Sequence, residues 1–193
     1  MIVEAYSDGS SRTNPGPSGY GFIIRYWEPT KDTKEMPEAK TIEGSAGFRV
    51  STNNRMEIMG GVAAIKCIME NIDKGVIKEC TQINLASDSE YFVKAINQNW
   101  IARWQQNQWM TGSFRGSKPR PVRNQDLWEM FLAVQDELRK RNIVLTMFHI
   151  DGHSGHEFNE RADRIAVAAS GDSATFGIDE GYEKQSPYLN KAS

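Results

Sequence analysis

The chain has few of the residues that build disulfide frameworks or zinc sites. Its 193 residues include two cysteines, Cys67 and Cys80, and three histidines. The cysteines lack metal-ligand spacing and are too few for a disulfide framework. No further His or Cys lies at a spacing that would complete a zinc site with His153 and His156. Cys67 falls on the apolar face of a predicted helix, so a reduced core thiol is the better interpretation.

Long apolar runs and a strong net charge are also missing. No uninterrupted apolar stretch approaches the roughly 18 residues needed to span a bilayer, and residues 1–6 lack the basic region of a secretory signal. We therefore expect a cytoplasmic protein with no membrane segment. The formal net charge is only −2, so the overall charge does not by itself identify a nucleic-acid-binding protein.

Acidic residues are absent from one stretch of the chain, residues 91–125. The same stretch contains six basic residues: Lys94, Arg103, Arg115, Lys118, Arg120 and Arg123. Such local asymmetry is typical of a surface that faces phosphates. A solvated basic loop is the alternative that the sequence leaves open.

Apolar periodicity predicts an α/β domain. Three strands are predicted first, over residues 2–6, 19–26 and 41–50, with a long exposed connection over residues 27–40. Helical spacing then begins near Glu57, and the later predicted elements are a strand over 83–86, a helix over 89–97, a helix over 124–141, a strand over 143–150 and a helix over 157–169. This order predicts one mixed sheet covered by helices, in a domain of residues 1–170. Residues 171–193 are expected to form a flexible or loosely docked tail.

Four acidic residues in separate segments carry the strongest functional pattern: Asp8, Glu57, Asp88 and Asp163. Two of them end short β-prone runs, one opens an amphipathic helix, and one lies inside another helix. Such positions can converge at one edge of a sheet. A few carboxylates, together with water and substrate phosphates, are the ligands that Mg²⁺ prefers. The pattern therefore predicts a divalent-metal site, and two such ions can activate a water and stabilise the leaving oxygen of a phosphodiester.

Each carboxylate also has an ordinary structural interpretation. Asp8 precedes a glycine, which is a turn signal, and Glu57 follows Asn54 at the spacing of a capping box. Asp88 could cap the helix that follows its strand, and Asp163 could be a surface acid between two arginines. The metal site is favoured because these four explanations would otherwise all have to coincide.

The chain resembles type 1 ribonuclease H in several motifs that occur in the order of that family. They are SDGS (7–10) with NPGPSGYG (14–21), TNNRME (52–57), SDS (87–89), RNQDLW (123–128) and GHSGHEFNERAD (152–163). Together they cover roughly residues 1–170. The resemblance implies a ribonuclease H-like fold, in which a five-stranded mixed sheet, three antiparallel strands and then two parallel, is flanked by helices.

The resemblance also implies a reaction. It is hydrolysis of the RNA strand of an RNA–DNA hybrid by two-metal-ion catalysis, which leaves 5′-phosphate and 3′-hydroxyl ends. One Mg²⁺ would be shared by Asp8, Glu57 and Asp88 and a second by Asp8 and Asp163, with Mn²⁺ as a possible substitute. His153, between two glycines, would assist proton transfer or release of product and metal. A solvated loop histidine is the alternative for that residue.

Contacts with the two strands of the hybrid are implied in the same way. Neutral donors and acceptors suit the recognition of 2′-hydroxyls, and the implied contacts to the RNA strand are Gly9, Ser10, Asn14, Asn53 and Asn54. For the DNA strand, Thr52 and Asn124 would hold a phosphate. Trp100 would pack against deoxyribose, although packing between short helices is an equal alternative. Glu90 stands where a neutral Gln is usual, and its charge beside the RNA predicts weaker hybrid affinity.

Two other functions remain possible at this point. One is a catalytically silent nucleic-acid-binding module on the same fold, which the complete carboxylate set and His153 disfavour. The other is a related nuclease acting on DNA, which the cluster of Asn14, Asn53 and Asn54 disfavours. The expected partner is an RNA–DNA hybrid, and nothing indicates a membrane or an obligate protein partner, so a monomer is expected.

Overall fold

The computed structural model describes residues 1–27, 38–112, 118–152 and 155–185. Its strands are β1 (Ile2–Ser11), β2 (Gly16–Trp27), β3 (Ala39–Ser51), β4 (Gln82–Ser87) and β5 (Val144–His149). Its helices are α1 (Asn53–Asp73), α2 (Glu90–Asn97), α3 (Trp100–Gln106), α4 (Gln125–Lys140), α5 (Glu157–Ala169) and α6 (Glu180–Gln185), with a 3₁₀ turn at Ser173–Thr175. Most of the connection predicted over residues 27–40 lies outside the described residues.

The five strands form one mixed sheet in the order β3-β2-β1-β4-β5. β1 pairs antiparallel with β2, and β2 antiparallel with β3. β4 is parallel to both β1 and β5. The predicted fold class is therefore confirmed, including three antiparallel strands followed by two parallel ones.

The core lies between the sheet and helices α1 and α4. The apolar stripe of α1 is fully buried at Ile58, Ile65 and Ile68, and α4 contributes Trp128 and Phe131, which are at most 1% exposed. Burial of aliphatic and aromatic side chains on this scale is the main stabilising term of such a domain. No helix in the described parts of the chain is long and apolar enough to cross a membrane.

Helix α5 covers the other face of the antiparallel strands and approaches them very closely. A Cβ atom at Gly21 of β2 would lie 2.6 Å from the carbonyl oxygen of Ala162 and 2.7 Å from the amide nitrogen of Ala166. Only glycine allows backbone and helix to meet at this distance. The small residues of the segment 14–21 thus allow α5, which carries Asp163, to pack directly on the sheet.

Strand β1 is longer than its sequence predicts. The expected strand ended at Tyr6, whereas β1 continues to Ser11, with Asp8 paired to Gly21 and Gly9 to Tyr20. The turn interpretation of Asp8 and Gly9 is therefore wrong. The Ser- and Gly-rich segment is polar and lacks apolar alternation, but its backbone pairs fully with β2, and a backbone ladder does not depend on apolar side chains.

Residues 171–185, expected to belong to a flexible or loosely docked tail, contact β3 and α1. Gly177 forms a parallel bridge with Phe48, and its amide donates to the carbonyl oxygen of Gly47 at 2.8 Å. Asp179 is only 3% exposed and receives a hydrogen bond from the guanidinium of Arg55 at 2.6 Å. Residues 186–193 of the expected tail lie outside the described residues.

Candidate active site

The two central strands bring the first two carboxylates together. β1 and β4 are parallel neighbours, and their register pairs Tyr6 with Ala86. Two residues further along, Asp8 and Asp88 leave the same edge of the sheet, because side chains at positions i and i+2 point to the same face. Asp88 directly follows β4, whereas Asp8 lies within β1. The two carboxylates are therefore neighbours although one belongs to a loop and the other to a strand.

Close packing of α1 on β1 brings in the third carboxylate. A Cβ atom at Gly9 would lie 2.6 Å from the amide nitrogen of Glu57. Since glycine has no side chain, the first turns of α1 rest on the backbone of β1 next to Asp8. Asp163, the fourth carboxylate, is carried by α5, whose close packing against β2 sets its position.

The four carboxylates line a single cavity of about 260 Å³. Its lining consists of Asp8, Gly9, Asn53, Glu57, Asp88, Asn159, Glu160 and Asp163. Five of these eight residues are acidic, so the cavity is a concentration of negative charge. Such a concentration is costly unless cations neutralise it or the groups take up protons.

Glu57 is held toward the cavity by hydrogen bonds. One of its carboxylate oxygens accepts from the side-chain amide of Asn53 at 2.7 Å, and the other accepts from the hydroxyl of Ser89. The N-cap position of α1 is Thr52, so the capping-box interpretation of Asn54 and Glu57 is wrong. The Glu57 carboxylate lines the cavity.

The helix after β4 is capped without Asp88. Ser89 is the N-cap of α2, and its hydroxyl accepts from the amide of Phe92 at 3.3 Å. The capping interpretation of Asp88 is therefore wrong as well. Asp88 lies against the loop that follows β5, where a Cβ atom at Gly152 would be 3.0 Å from its Oδ2.

Burial and mutual repulsion raise the pKa of two of these carboxyls. Burial is the main cause for Asp8, whose pKa rises from 3.8 to about 8, with further contributions from the charges of Asp88, Asp163 and Glu57. The pKa of Glu57 rises from 4.5 to about 7, again mainly through burial. Hydrogen bonds from Ser89 and Asn53 oppose that rise. Without a cation, the cavity therefore favours protonated carboxyls near neutral pH.

The donor set fits a hard divalent cation. All the titratable groups of the cavity are carboxylates, and oxygen ligands with few protein donors are typical of Mg²⁺. In the described residues, no three His, Cys, Asp or Glu side chains already converge as a closed ligand set. The Glu57 carboxylate is held at the wall of the cavity by Asn53 and Ser89.

The residues expected to contact RNA lie beside the cavity. Gly9 and Asn53 line it, Ser10 is the next residue of β1, and Asn54 is the second residue of α1. Asn14 lies in the β1–β2 turn, where its side-chain oxygen accepts from the amide of Asn53 at 3.3 Å. The structure thus connects this turn to the start of α1, while Ser10, Asn14 and Asn54 are not part of the cavity lining.

The residues expected to contact DNA, and Glu90, lie outside the cavity. Thr52 and Asn124 occupy the N-cap positions of α1 and α4, and Asn124 has a left-handed backbone with φ of 60°. Trp100 begins α3, where its ring nitrogen donates to Gln98 at 3.1 Å. Glu90 is exposed at the start of α2 and pairs with Lys94 at 2.6 Å. Their roles in binding remain predictions.

The predicted catalytic histidine, His153, lies outside the described residues. His156 occupies the N-cap position of α5, as expected for a residue at the helix entry. Its ring packs against Tyr6 with a centroid distance of 4.9 Å. This ring contact agrees with a packing role.

Three further residues belong to the site that the motifs of the sequence do not indicate. Ser89 binds Glu57, whereas Asn159 and Glu160 line the cavity. Asn159 is 3% exposed, and its side-chain oxygen is buried with no hydrogen-bond partner among the described residues. Helical spacing could have identified Asn159 and Glu160, since they precede Asp163 by four and three residues and so share its face of α5.

Fold and cavity define an α/β domain with a carboxylate site at the ends of its two central strands. The model of the RNase H family matches residues 2–171. The Ribonuclease HI of Synechocystis sp. is 35% identical over 182 residues, covering 94% of this chain and 95% of the relative. The Ribonuclease H of Shewanella sp. strain MR-4 is 36% identical over 190 residues, covering 96% and 97%. The chain belongs to the RNase H family, which confirms the resemblance and the enzyme class drawn from the motifs.

Solved structures share the fold of this chain. LC9-RNase H1, described as a type 1 RNase H with the type 2 active-site motif, has a TM-score of 0.67 at 23% identity, covering 98% of this chain and 83% of that one. LC11-RNase H1, solved in complex with RNA/DNA hybrid, has a TM-score of 0.55 at 24% identity, covering 86% and 95%. At these identities the likeness concerns the fold.

Proposed function

We propose that this protein is an endonuclease that hydrolyses the RNA strand of RNA–DNA hybrids with the help of two Mg²⁺ ions. One observation carries the proposal: four carboxylates from β1, α1, the end of β4 and α5 line one cavity in a chain of the RNase H family. A shared cavity is what a metal-dependent phosphodiesterase requires of residues so distant in sequence.

The four carboxylates would be the protein ligands of the two ions. The charges of Asp88, Asp163 and Glu57 all raise the pKa of Asp8 in addition to burial, so Asp8 lies near the other three carboxylates, which fits the implied sharing of Asp8 between two ions. When bound, the ions supply a water of lowered pKa and neutralise the charge that develops on the leaving oxygen. Ser89 and Asn53 orient Glu57, so ligand geometry is partly set before an ion binds.

The reaction is the hydrolysis of a phosphodiester bond of the RNA strand. The oxygen of a water bonds to phosphorus, and the bond from phosphorus to the 3′-oxygen of the preceding ribose breaks. The departing 3′-oxygen takes up a proton, which leaves a 3′-hydroxyl and a 5′-phosphate. We assign the transfer of a proton, or the release of product, to His153, whose position between two glycines suits movement toward and away from a phosphate.

Recognition of the hybrid requires different contacts for the two strands. Gly9, Ser10, Asn14, Asn53 and Asn54 supply neutral donors and acceptors around the cavity, which suit the 2′-hydroxyls of RNA. Thr52 and Asn124 are assigned to a phosphate of the DNA strand, and Trp100 to its deoxyribose. Glu90, on the first turn of α2, is assigned to the RNA side of the groove, where its charge weakens binding.

The basic stretch after α3 adds phosphate contacts. Trp109–Gly112 and Lys118–Val122 run side by side, with the amide of Thr111 donating to the carbonyl of Arg120 at 2.8 Å. Lys118, Arg120 and Arg123 are exposed there, while Arg115 lies outside the described residues. Each phosphate contact adds to the release of counterions and therefore to the salt dependence of binding.

A substrate panel tests the proposal. The protein is incubated with end-labelled RNA–DNA hybrid, double-stranded RNA, double-stranded DNA and single-stranded RNA, each with Mg²⁺, with Mn²⁺ or with chelator. Cleavage of the RNA strand of the hybrid, only with metal, is expected. Binding without cleavage would instead indicate a silent module, and cleavage of double-stranded DNA would indicate a DNA-directed nuclease.

The oligomeric state and the cellular location of the enzyme are also predicted. We expect a monomeric, cytoplasmic protein whose binding partner is the hybrid, with residues 1–170 as the catalytic domain. Size-exclusion chromatography with light scattering tests the first point, since a dimer would elute at about twice the chain mass of 21.8 kDa.

A further inference from the structure

The most deeply buried charged side chain of the described residues lies outside the catalytic cavity. Arg55, in the first turn of α1, is 2% exposed. Its guanidinium donates to both carboxylate oxygens of Asp126 at 2.9 and 2.6 Å. On its other side it donates to both oxygens of Asp179 at 2.6 and 2.7 Å. Paired, planar contacts of this kind fix direction as well as distance.

Asp179 belongs to the C-terminal segment, beyond the residues that the family model matches. It is itself 3% exposed, accepts from the hydroxyl of Ser51 at 2.5 Å and from the amide of Tyr182 at 3.2 Å. The chain then passes directly over the Arg55–Asp126 pair, because a Cβ atom at Gly181 would be 2.6 Å from Arg55 and would overlap the carboxylate of Asp126. The backbone of the segment at Gly181 therefore packs directly against this ion pair.

This network joins two segments that are distant in sequence. Ser51 and Arg55 flank Thr52, and the carbonyl of Thr52 accepts from the amide of Arg55 at 3.1 Å. Asp126 lies in the first turn of α4, two residues after Asn124. The pair of Arg55 and Asp126 therefore connects the start of α1 to the start of α4. Asp179 binds Arg55 and Ser51, on either side of Thr52.

We infer that Asp179 is a positioning residue for hybrid binding, which sets the separation of Thr52 and Asn124 through Arg55 and Asp126. The inference rests on the proposed role of Thr52 and Asn124 in holding one phosphate of the DNA strand. A phosphate bound by donors on two separate loops requires those loops at a fixed distance. Asp179 thus acts on hybrid binding through Arg55 and Asp126.

The physical basis is the cost of an unbalanced buried cation. Arg55 is 2% exposed, so it keeps its orientation only while carboxylates face it on both sides. Removing the charge of Asp179 leaves the guanidinium short of a partner, which is unfavourable in a buried site. The start of α1 then shifts to recover solvation or another acceptor, and Thr52 moves with it.

Asp179→Asn tests this role while preserving size. Dissociation of a fluorescent RNA–DNA hybrid is measured by anisotropy in chelator, alongside KM and kcat with Mg²⁺ and a thermal unfolding curve. We expect the dissociation constant and KM to rise about tenfold, equal to about 1.4 kcal/mol, with kcat changed less than about twofold. The amide resonances of Thr52 and Asn124 should both shift in the NMR spectrum.

Asp126→Asn approaches the same arginine from the other side and should act in the same direction. Its carboxylate is 32% exposed, so this variant keeps the test decisive if Asp179→Asn does not fold. Glu180→Gln is the matched control, because Glu180 lies in the same segment but its side chain is 72% exposed and pairs with Lys184 within α6. That control should leave binding, KM and kcat unchanged.

Unchanged hybrid affinity in both folded variants would overturn the inference and leave the network a purely structural role. A fall in kcat at constant KM would overturn it too, since the effect would then act on the catalytic cavity. If the wild-type protein binds hybrid but does not cleave it, the proposed function fails while the anisotropy and NMR measurements still decide the role of Asp179.

Discussion

Asp8→Asn should stabilise the metal-free protein by an amount that grows with pH. Asp8 is buried at 6% exposure, and burial together with the charge of Asp88 raises its pKa from 3.8 to about 8. One pKa unit corresponds to about 1.4 kcal/mol, so a shift of about 4 units sets an upper value of about 5–6 kcal/mol. Relaxation and water entry reduce this, and we expect a gain of about 2–3 kcal/mol at pH 8.

The sign follows from which state holds the proton. In the unfolded chain Asp8 loses its proton near its ordinary pKa of 3.8, whereas the folded protein keeps it up to about pH 8. Between these values the unfolded state binds fewer protons, so the free energy of unfolding of the wild type falls as pH rises. Asparagine does not ionise and still accepts the hydrogen bond that the amide of Gly9 donates at 2.7 Å.

Urea unfolding of both proteins in chelator, at pH 4.5, 6 and 8, measures the effect. The difference should be small at pH 4.5 and largest at pH 8, and saturating Mg²⁺ should reduce it, because the cation neutralises the wild-type cavity. Asp136→Asn is the control, since its side chain is 58% exposed and its change should stay within about 0.5 kcal/mol. A difference that is constant across pH, or a destabilised Asp8→Asn, would refute the reasoning.

Three further predictions concern metal binding, His153 and Glu90. Calorimetry should show that Mg²⁺ binds more tightly, with release of protons, as pH rises from 6 to 8.5, because the pKa values of Asp8 and Glu57 are raised to about 8 and about 7; an affinity independent of pH would contradict the assigned ligands. His153→Ala should lower kcat yet leave metal-dependent cleavage measurable, and complete inactivity would make His153 a ligand or an essential base. Glu90→Gln should lower KM for a short hybrid, since it removes a negative charge and releases Lys94 from a 2.6 Å pair; the gain should shrink with added salt, and an unchanged KM would place Glu90 away from the RNA.

Much of the fold could be predicted because the pattern of each element is local. The apolar stripe of α1 and the short apolar run of β4 are visible in the sequence, and the structure places α1 at Asn53–Asp73 and β4 at Gln82–Ser87. The end of β1 could not be predicted in this way. The segment from Asp8 onward carries turn signals, and only pairing with β2 makes residues 8–11 part of the strand.

The four carboxylates could be identified because each lies in a motif with its own spacing. Ser89, Asn159 and Glu160 were missed since their role depends on which side chains face the same cavity. The docking of Asp179 was also beyond local pattern. A lone acid in a segment with few apolar residues predicts solvent exposure. Burial raises the pKa of Asp179, but hydrogen bonds from the guanidinium of Arg55, 124 residues away in sequence, and from Ser51 outweigh that effect, so its pKa is lowered and its position is fixed.

Cleavage of a labelled RNA–DNA hybrid by wild type and Asp8→Asn, each with Mg²⁺ and with chelator, tests the central claim most directly. Hybrid binding is followed by anisotropy on the same samples. We predict cleavage by the wild type only with Mg²⁺, and loss of nearly all cleavage in Asp8→Asn with its fold and hybrid affinity retained. Cleavage by Asp8→Asn at close to the wild-type rate would contradict the assignment of this carboxylate cavity as the metal site.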